Sequence, residues 1–213
     1  MPTIELKHSI LEYIQEINEF SHIGDDWNSW LPEIGCPVDY IDKEKIEIEV
    51  FPDRPDLLSH ETLARACRSF TNEKILQNPE LDIKNGNIEI NIEKSIKEIR
   101  PIILGAVVRG VETGRNEIEK NDFIQSLMDH QEKLHVTLGR KREFASIGVH
   151  DLSKINPPFR YISVDEEYSF IPLAEEKEMS IKDILQKNTK GKEYAHLMKD
   201  LTRYPVIIDD NDD

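Results

Sequence analysis

The sequence predicts an α+β protein, with a small N-terminal α+β domain followed by a β-rich mixed domain. Three observations carry this expectation: an amphipathic helix pattern over Ser9 to Ile17, a strictly alternating strand over residues 45–51, and a nearly unbroken apolar run over residues 101–111. Helical and strand periodicities thus share one chain without the regular βαβ alternation of a parallel α/β fold. A chain of 213 residues accommodates one large domain or two small ones. Two are expected, residues 1–80 and 81–213. Their boundary falls near residues 71–86, where Asn72, Asn78, Pro79, Asn85, Gly86 and Asn87 dilute the hydrophobic pattern.

Taken in order, Ser9 and Glu12 have the spacing of a capping box, and Ile10, Tyr13, Ile14 and Ile17 share one helical face. A mixed stretch around Trp27 and Trp30 ends at Gly35 and Pro37. Ile46, Ile48 and Val50 then alternate with Glu47 and Glu49, as in a half-buried strand. Asp53-Arg54-Pro55-Asp56 turns the chain, and Ser59 is placed to cap a helix running to about Phe70, with Leu58 and Leu63 spaced as a hydrophobic staple. A second alternating strand, Ile88, Ile90 and Ile92, follows the Asn85-Gly86 turn.

The run Ile102, Ile103, Leu104, Ala106, Val107 and Val108 reads as a strand covered on both faces. Phe123, Ile124, Leu127, Met128, Leu134 and Leu138 trace a helical stripe that Gly139 terminates. Phe144 to Val149 reads as another strand, Pro157-Pro158 as a loop, and Ser180 with Asp183 as the start of a helix through Leu185. A further helix is expected around Tyr194 to Met198. Tyr204 to Ile208 forms a last strand that enters a turn, after which Asp209 to Asp213 is either a solvated acidic tail or part of an unfinished hairpin.

Composition narrows the function classes. No apolar run approaches the roughly 20 residues that span a bilayer, and the first residues lack a basic leader, so a cytoplasmic protein with no membrane partner is expected. Cys36 and Cys67 form no CxxC pair and read as buried or semi-buried thiols. With 42 acidic residues against 27 basic ones, the net charge of −15 opposes a general grip on nucleic acid. Any RNA contact must be local, and Arg140-Lys141-Arg142 is the basic cluster that stands out.

Common catalytic signatures are absent from the sequence: there is no GxSxG, P-loop, dinucleotide glycine fingerprint or HExxH. The seven histidines show no metal-site spacing, and no metal ligand is assigned. His150-Asp151 could orient an imidazole for base catalysis, but neighbours on a strand point to opposite faces, which favours a structural role. Arg140-Lys141-Arg142 follows a helix end on a rigid frame; it could recognise phosphate or simply offset the helix dipole. Asp53, Arg54 and Asp56 read as a turn with a bridging arginine.

Glu47-Ile48-Glu49-Val50-Phe51 leading into Asp53-Arg54-Pro55-Asp56-Leu57-Leu58-Ser59 resembles the beta subunit of archaeal and eukaryotic-type phenylalanyl-tRNA synthetase. The family's order continues through Ile99-Arg100-Pro101, Gln131-Glu132-Lys133-Leu134-His135, Gly139-Arg140-Lys141-Arg142, Ala145 to Leu152, Phe170-Ile171-Pro172-Leu173 and Tyr204-Pro205. The resemblance implies an N-terminal α+β domain and the first part of a domain that hydrolyses tyrosine wrongly attached to phenylalanine tRNA. By similarity Arg142 and Ile207 fall in the editing pocket; Arg140 and Lys141 are tRNA-binding candidates by their charge and their place after the helix end; no catalytic residue is assigned. It further implies a catalytic alpha subunit and phenylalanine tRNA as partners, with ATP and magnesium used by the holoenzyme and not by this chain. Where the family continues past the last turn this sequence stops at Asp213, so the editing domain is expected to be incomplete and the chain inactive alone. A free-standing trans-editing deacylase and a noncatalytic tRNA- or subunit-binding module are the alternatives.

Overall fold

The computed structural model describes residues 3–17, 26–71 and 81–211. Contacts group the chain into two units, Met1–Leu81 with Gly110–Ile147 and Asp82–Arg109 with Gly148–Asp213. Residues 72–80, which hold Asn72, Asn78 and Pro79 of the expected boundary, lie outside the described residues, as do Asp212 and Asp213 of the acidic tail.

Unit 1 opens with a strand that the alternation of Ile4 and Leu6 should have revealed, β1 (Thr3–Lys7), and passes directly into α1 (His8–Ile17). The helix therefore begins before the expected cap, and Ser9 is an exposed residue inside it. The His8 N–H is satisfied by the Glu44 carbonyl at 2.9 Å, so the junction closes without a Ser9 cap. After α2 (Trp27–Glu33), strands β2 (Val38–Ile41) and β3 (Lys45–Glu49) complete an antiparallel sheet of order β1-β3-β2. Ile4 faces Ile48 and Leu6 faces Ile46 across it. These side chains share one core with Ile10, Leu11, Trp27, Leu31, Leu63 and Cys67. On the other face of the sheet Lys45 bridges Glu5 and Glu47, each at 2.6 Å, which gives Glu47 of the alternation a partner.

The 53–59 segment is a structural turn. Arg54 grips Asp56 with two hydrogen bonds (2.9 and 2.8 Å) and reaches the Ile34 carbonyl at 3.3 Å. Pro55 begins a 3-10 turn that buries Leu57, and Ser59 caps α3 (His60–Phe70), its hydroxyl accepting the Thr62 N–H while Thr62 returns the contact. Leu58 and Leu63 are both buried, as the staple pattern requires. Loss of this cap in Ser59→Ala should lower the stability of unit 1 by about 1 kcal/mol. Urea unfolding followed by tryptophan fluorescence checks this cleanly, because both tryptophans, Trp27 and Trp30, belong to unit 1. Cys36 and Cys67 are buried in the same core, where burial pushes the Cys67 thiol up to about 12.

Helix α4 (Glu117–Val136), capped by the Asn116 side chain, buries only part of its apolar stripe, with Leu134 packed against the core of unit 1. Ile124, Met128 and Leu138 of the apolar stripe are exposed, whereas the buried residues of the helix are Ser126 and His135. Polar contacts choose the face: Asp122 pairs with Lys7 (3.3 Å), Lys133 donates to the Thr3 carbonyl (2.8 Å), and Ser126 meets His60. At its N-terminal end Arg115 joins Glu119 and Glu16 and lies over the Tyr13 ring of α1.

Unit 2 is built on a three-stranded sheet of order β4-β5-β8: β4 (Ile90–Ile92) runs parallel to β5 (Phe159–Val164), which pairs antiparallel with β8 (Tyr204–Ile208). The last strand thus finds its partner in β5, and the expected 88–92 strand is shorter than its alternation suggests. A small hairpin, β6 (Ser169–Phe170) and β7 (Met179–Ser180), leads into α5 (Ile181–Lys187), which Ser180 caps as expected. The short α6 (Thr189–Tyr194) and a 3-10 turn at Ala195–Leu197 stand where a helix around Tyr194 to Met198 was expected.

Two expected strands are not formed. Residues 101–111 have no regular structure, with Ile102 79% and Leu104 91% exposed, and residues 144–149 are likewise irregular. A strand needs a neighbour for its backbone N–H and C=O groups, and no described strand pairs with either segment. An apolar run specifies what a strand buries but does not supply its partner. The acidic tail also departs from the solvated reading at its first residue. Asp209 is buried, accepting the Asn156 and Asn211 N–H groups at 2.9 and 2.8 Å. No helix among the described residues is long and apolar enough to cross a membrane.

Candidate functional site

The basic cluster is held by an unusual backbone. Beyond α4 the chain folds back on itself: the Gly139 N–H donates to the Leu134 carbonyl (2.8 Å), the Phe144 N–H to the Gly139 carbonyl (3.0 Å), and the Arg142 N–H to the His135 carbonyl (3.3 Å). Between these ties Arg140, Lys141 and Arg142 all adopt positive φ, at 49°, 55° and 69°. Each costs a non-glycine residue about 1–2 kcal/mol, so the surrounding hydrogen bonds and packing must enforce the turn.

The three bases diverge in environment. Arg140 and Lys141 are exposed, with the Arg140 guanidinium 5.5 Å from the centre of the Phe144 ring. Arg142 is partly buried and forms a fork with Glu132 of α4, Nη1 to Oε1 at 3.1 Å and Nη2 to Oε2 at 2.6 Å. This contact holds the Glu132 carboxyl below its usual range and keeps it ionised. His135, on the same helix, has Nδ1 3.6 Å from that carboxylate, and its Nε2 accepts the Ile147 N–H at 2.8 Å. The turn is therefore fastened to α4 and to the segment that follows it. Arg140 and Lys141 suit phosphate contact, whereas the charge of Arg142 is already balanced.

Glu132 and His135 escaped sequence reasoning as individual residues, although both lie in the Gln131 to His135 run. Their i, i+3 spacing on a helix is the available signal. The other candidate, Ile207, is a half-exposed residue of β8 opposite Tyr161 in unit 2. His150 and Asp151 do not form a catalytic pair: the Asp151 carboxylate accepts the Ser153 N–H and hydroxyl at 2.9 and 2.8 Å.

A cleft of about 380 Å³ in unit 1 is lined by His60, Ser126, Asp129, His130 and Lys133, among others. Its inner hydrogen-bond row is structural. His60 Nε2 accepts the Lys7 N–H (2.9 Å), which leaves the proton on Nδ1 to face the Ser126 hydroxyl (3.2 Å), while Ser126 donates to Glu61 (3.1 Å). An Nδ1 that carries a proton cannot accept one from Ser126, and burial keeps His60 below its usual value and neutral. Among the described residues no group of three or more His, Cys, Asp or Glu could hold a metal ion.

Comparison with known proteins follows the same lines. No protein-family model matches the chain. It is 43% identical over 212 residues to the phenylalanine–tRNA ligase beta subunit of Methanosarcina acetivorans, covering 100% of this chain and 37% of that protein. The corresponding subunit of Archaeoglobus fulgidus is 41% identical over 186 residues, 87% of this chain and 32% of that protein. In structure the whole chain matches 60% of a crystallised N-terminal fragment of the phenylalanyl-tRNA synthetase beta subunit from Pyrococcus horikoshii, with a TM-score of 0.81 and 27% identity. The chain spans about a third of the length of the curated relatives it matches. By sequence across its length and by fold, it belongs to the phenylalanine–tRNA ligase beta subunit family and corresponds to the N-terminal part of that subunit.

Proposed function

We propose that this chain serves in the ligation of phenylalanine to its tRNA, in an assembly with an alpha subunit, and contributes to hydrolysis of tyrosine mistakenly attached to that tRNA. The observation that supports the reading is the similarity to beta subunits along the whole of this chain, joined to a basic turn at Arg140 to Arg142 whose backbone is tied down by hydrogen bonds. A mostly apolar amino-acid pocket rejects an analogue with one added hydroxyl only about a hundredfold, so a second hydrolytic sieve has a clear purpose.

In that reaction water adds to the ester carbonyl carbon, the bond to the ribose oxygen breaks, and free tyrosine leaves while the tRNA hydroxyl is restored. Arg142 supplies N–H donors to oxygen at the 3′ end, Ile207 contributes apolar pocket wall, and Arg140 and Lys141 contact phosphates of the tRNA. ATP and magnesium belong to other parts of the holoenzyme, and the work is done in the cytoplasm.

The test is deacylation of tyrosine-charged phenylalanine tRNA by the full-length subunit in complex with its alpha partner. Arg142→Ala is expected to reduce the rate about 100-fold, the loss typical of one preorganised donor. An unchanged rate would remove Arg142 from the pocket. Robust hydrolysis by residues 1–213 alone would favour a free-standing deacylase, and binding of tRNA or alpha subunit without hydrolysis in any context would favour a noncatalytic module.

A further inference from the structure

We infer that Glu132 is the positioning residue for Arg142: it fixes the plane and direction of the guanidinium before the tRNA's 3′ end arrives. The inference rests on the reading of Arg142 as a pocket residue and deepens it.

Three features of the turn point the same way. The contact is a two-pronged fork at 3.1 and 2.6 Å, which sets orientation as well as proximity; a single-point ion pair would leave the guanidinium free to rotate. The Arg142 side chain is 20% exposed against 50% for Glu132, so the carboxylate sits toward solvent and backs the arginine rather than being sheltered by it. The Arg142 backbone, at φ 69°, is itself tied to His135, one helical turn from Glu132, so both ends of the arginine are referred to the same stretch of α4.

An unrestrained arginine carries rotamer entropy that a ligand must remove on binding. Freezing it in advance moves that cost into folding and leaves the bound geometry ready for reaction. Neutralisation by Glu132 adds a second consequence. The pair presents oriented donors with little net charge, which suits an ester or ribose oxygen better than a phosphate. Arg140 and Lys141 remain the charged members of the turn.

The test is a double-mutant cycle on tyrosyl-tRNA deacylation by the full-length subunit in its complex, measured as kcat and KM separately. Glu132→Gln keeps the shape of the side chain but loses the charged fork, and is expected to lower kcat about tenfold with KM little changed. In the Arg142→Ala background the same change should have no further effect, because its target is gone. Glu132→Asp, too short to span the fork at the same backbone separation, should fall with Glu132→Gln, whereas tryptophan-monitored unfolding should report unit 1 intact in all variants. A tenfold loss that persists without Arg142 overturns the inference, since Glu132 would then act by another route. So does a normal kcat for Glu132→Gln in an enzyme that Arg142→Ala cripples, and there the pocket reading survives. Full activity in Arg142→Ala overturns both.

Discussion

Trp27→Ala is expected to lower the stability of unit 1 by about 3–5 kcal/mol, the usual cost of emptying a fully buried aromatic position. Trp27 is 0% exposed and belongs to the core with Leu31, Leu57 and Leu63; it packs edge-on to Trp30, with ring centres 5.7 Å apart and planes at 72°. Its helix has only seven residues and would not persist in water unaided, so this side chain anchors α2 to the sheet and α3. A domain is stable by about 5–15 kcal/mol in total, and the loss brings unit 1 close to unfolding at ordinary temperature. Urea titration with Trp30 as the remaining reporter measures it. Trp27→Phe should recover part of the loss, and a wild-type midpoint in Trp27→Ala would show that α2 is held by something else.

Gly139→Ala is expected to destabilise unit 1 by about 1–3 kcal/mol and to displace the basic turn as well. A Cβ at this position would lie 2.5 Å from the Ala145 carbonyl oxygen and 2.8 Å from that of His135. Both are backbone atoms and cannot move aside as a side-chain tip would. The chain must then open between α4 and residue 145, which removes the support for three strained residues and separates Arg142 from Glu132. If the proposed editing role holds, deacylation should fall together with stability. A Gly139→Ala protein that retained both the wild-type unfolding midpoint and full editing rate would contradict this account of the turn.

Local signals were legible where the chain satisfies its own backbone nearby. The Ser59 cap, the Arg54–Asp56 turn and the alternation of Ile46 and Ile48 each depend on groups a few residues apart, and each appears as expected. Elements that need a distant partner were misread. The apolar run at 101–108 looks like a buried strand, yet no ladder forms, because pairing is a property of two segments. The apolar stripe of α4 did not reveal its buried polar residues for the same reason: Ser126 and His135 turn inward to meet His60 and Ile147. At the candidate site the sequence exposed the three bases but not their different surroundings, since Glu132 lies ten residues from Arg142 across a helix end.

By itself, then, the sequence determined the α+β class, the capped helix after Ser59, the family resemblance and the place of the basic cluster beyond α4, all of which are encoded in residue order and short spacings. Only the tertiary structure decided that Arg140, Lys141 and Arg142 occupy left-handed backbone, that Arg142 is forked by the Glu132 carboxylate, and that Asp209 is buried. The physical reason is one of range. Caps and alternation are set by groups within a helical turn or a strand pleat, whereas strain and charge pairing exist only after packing has brought separated segments together.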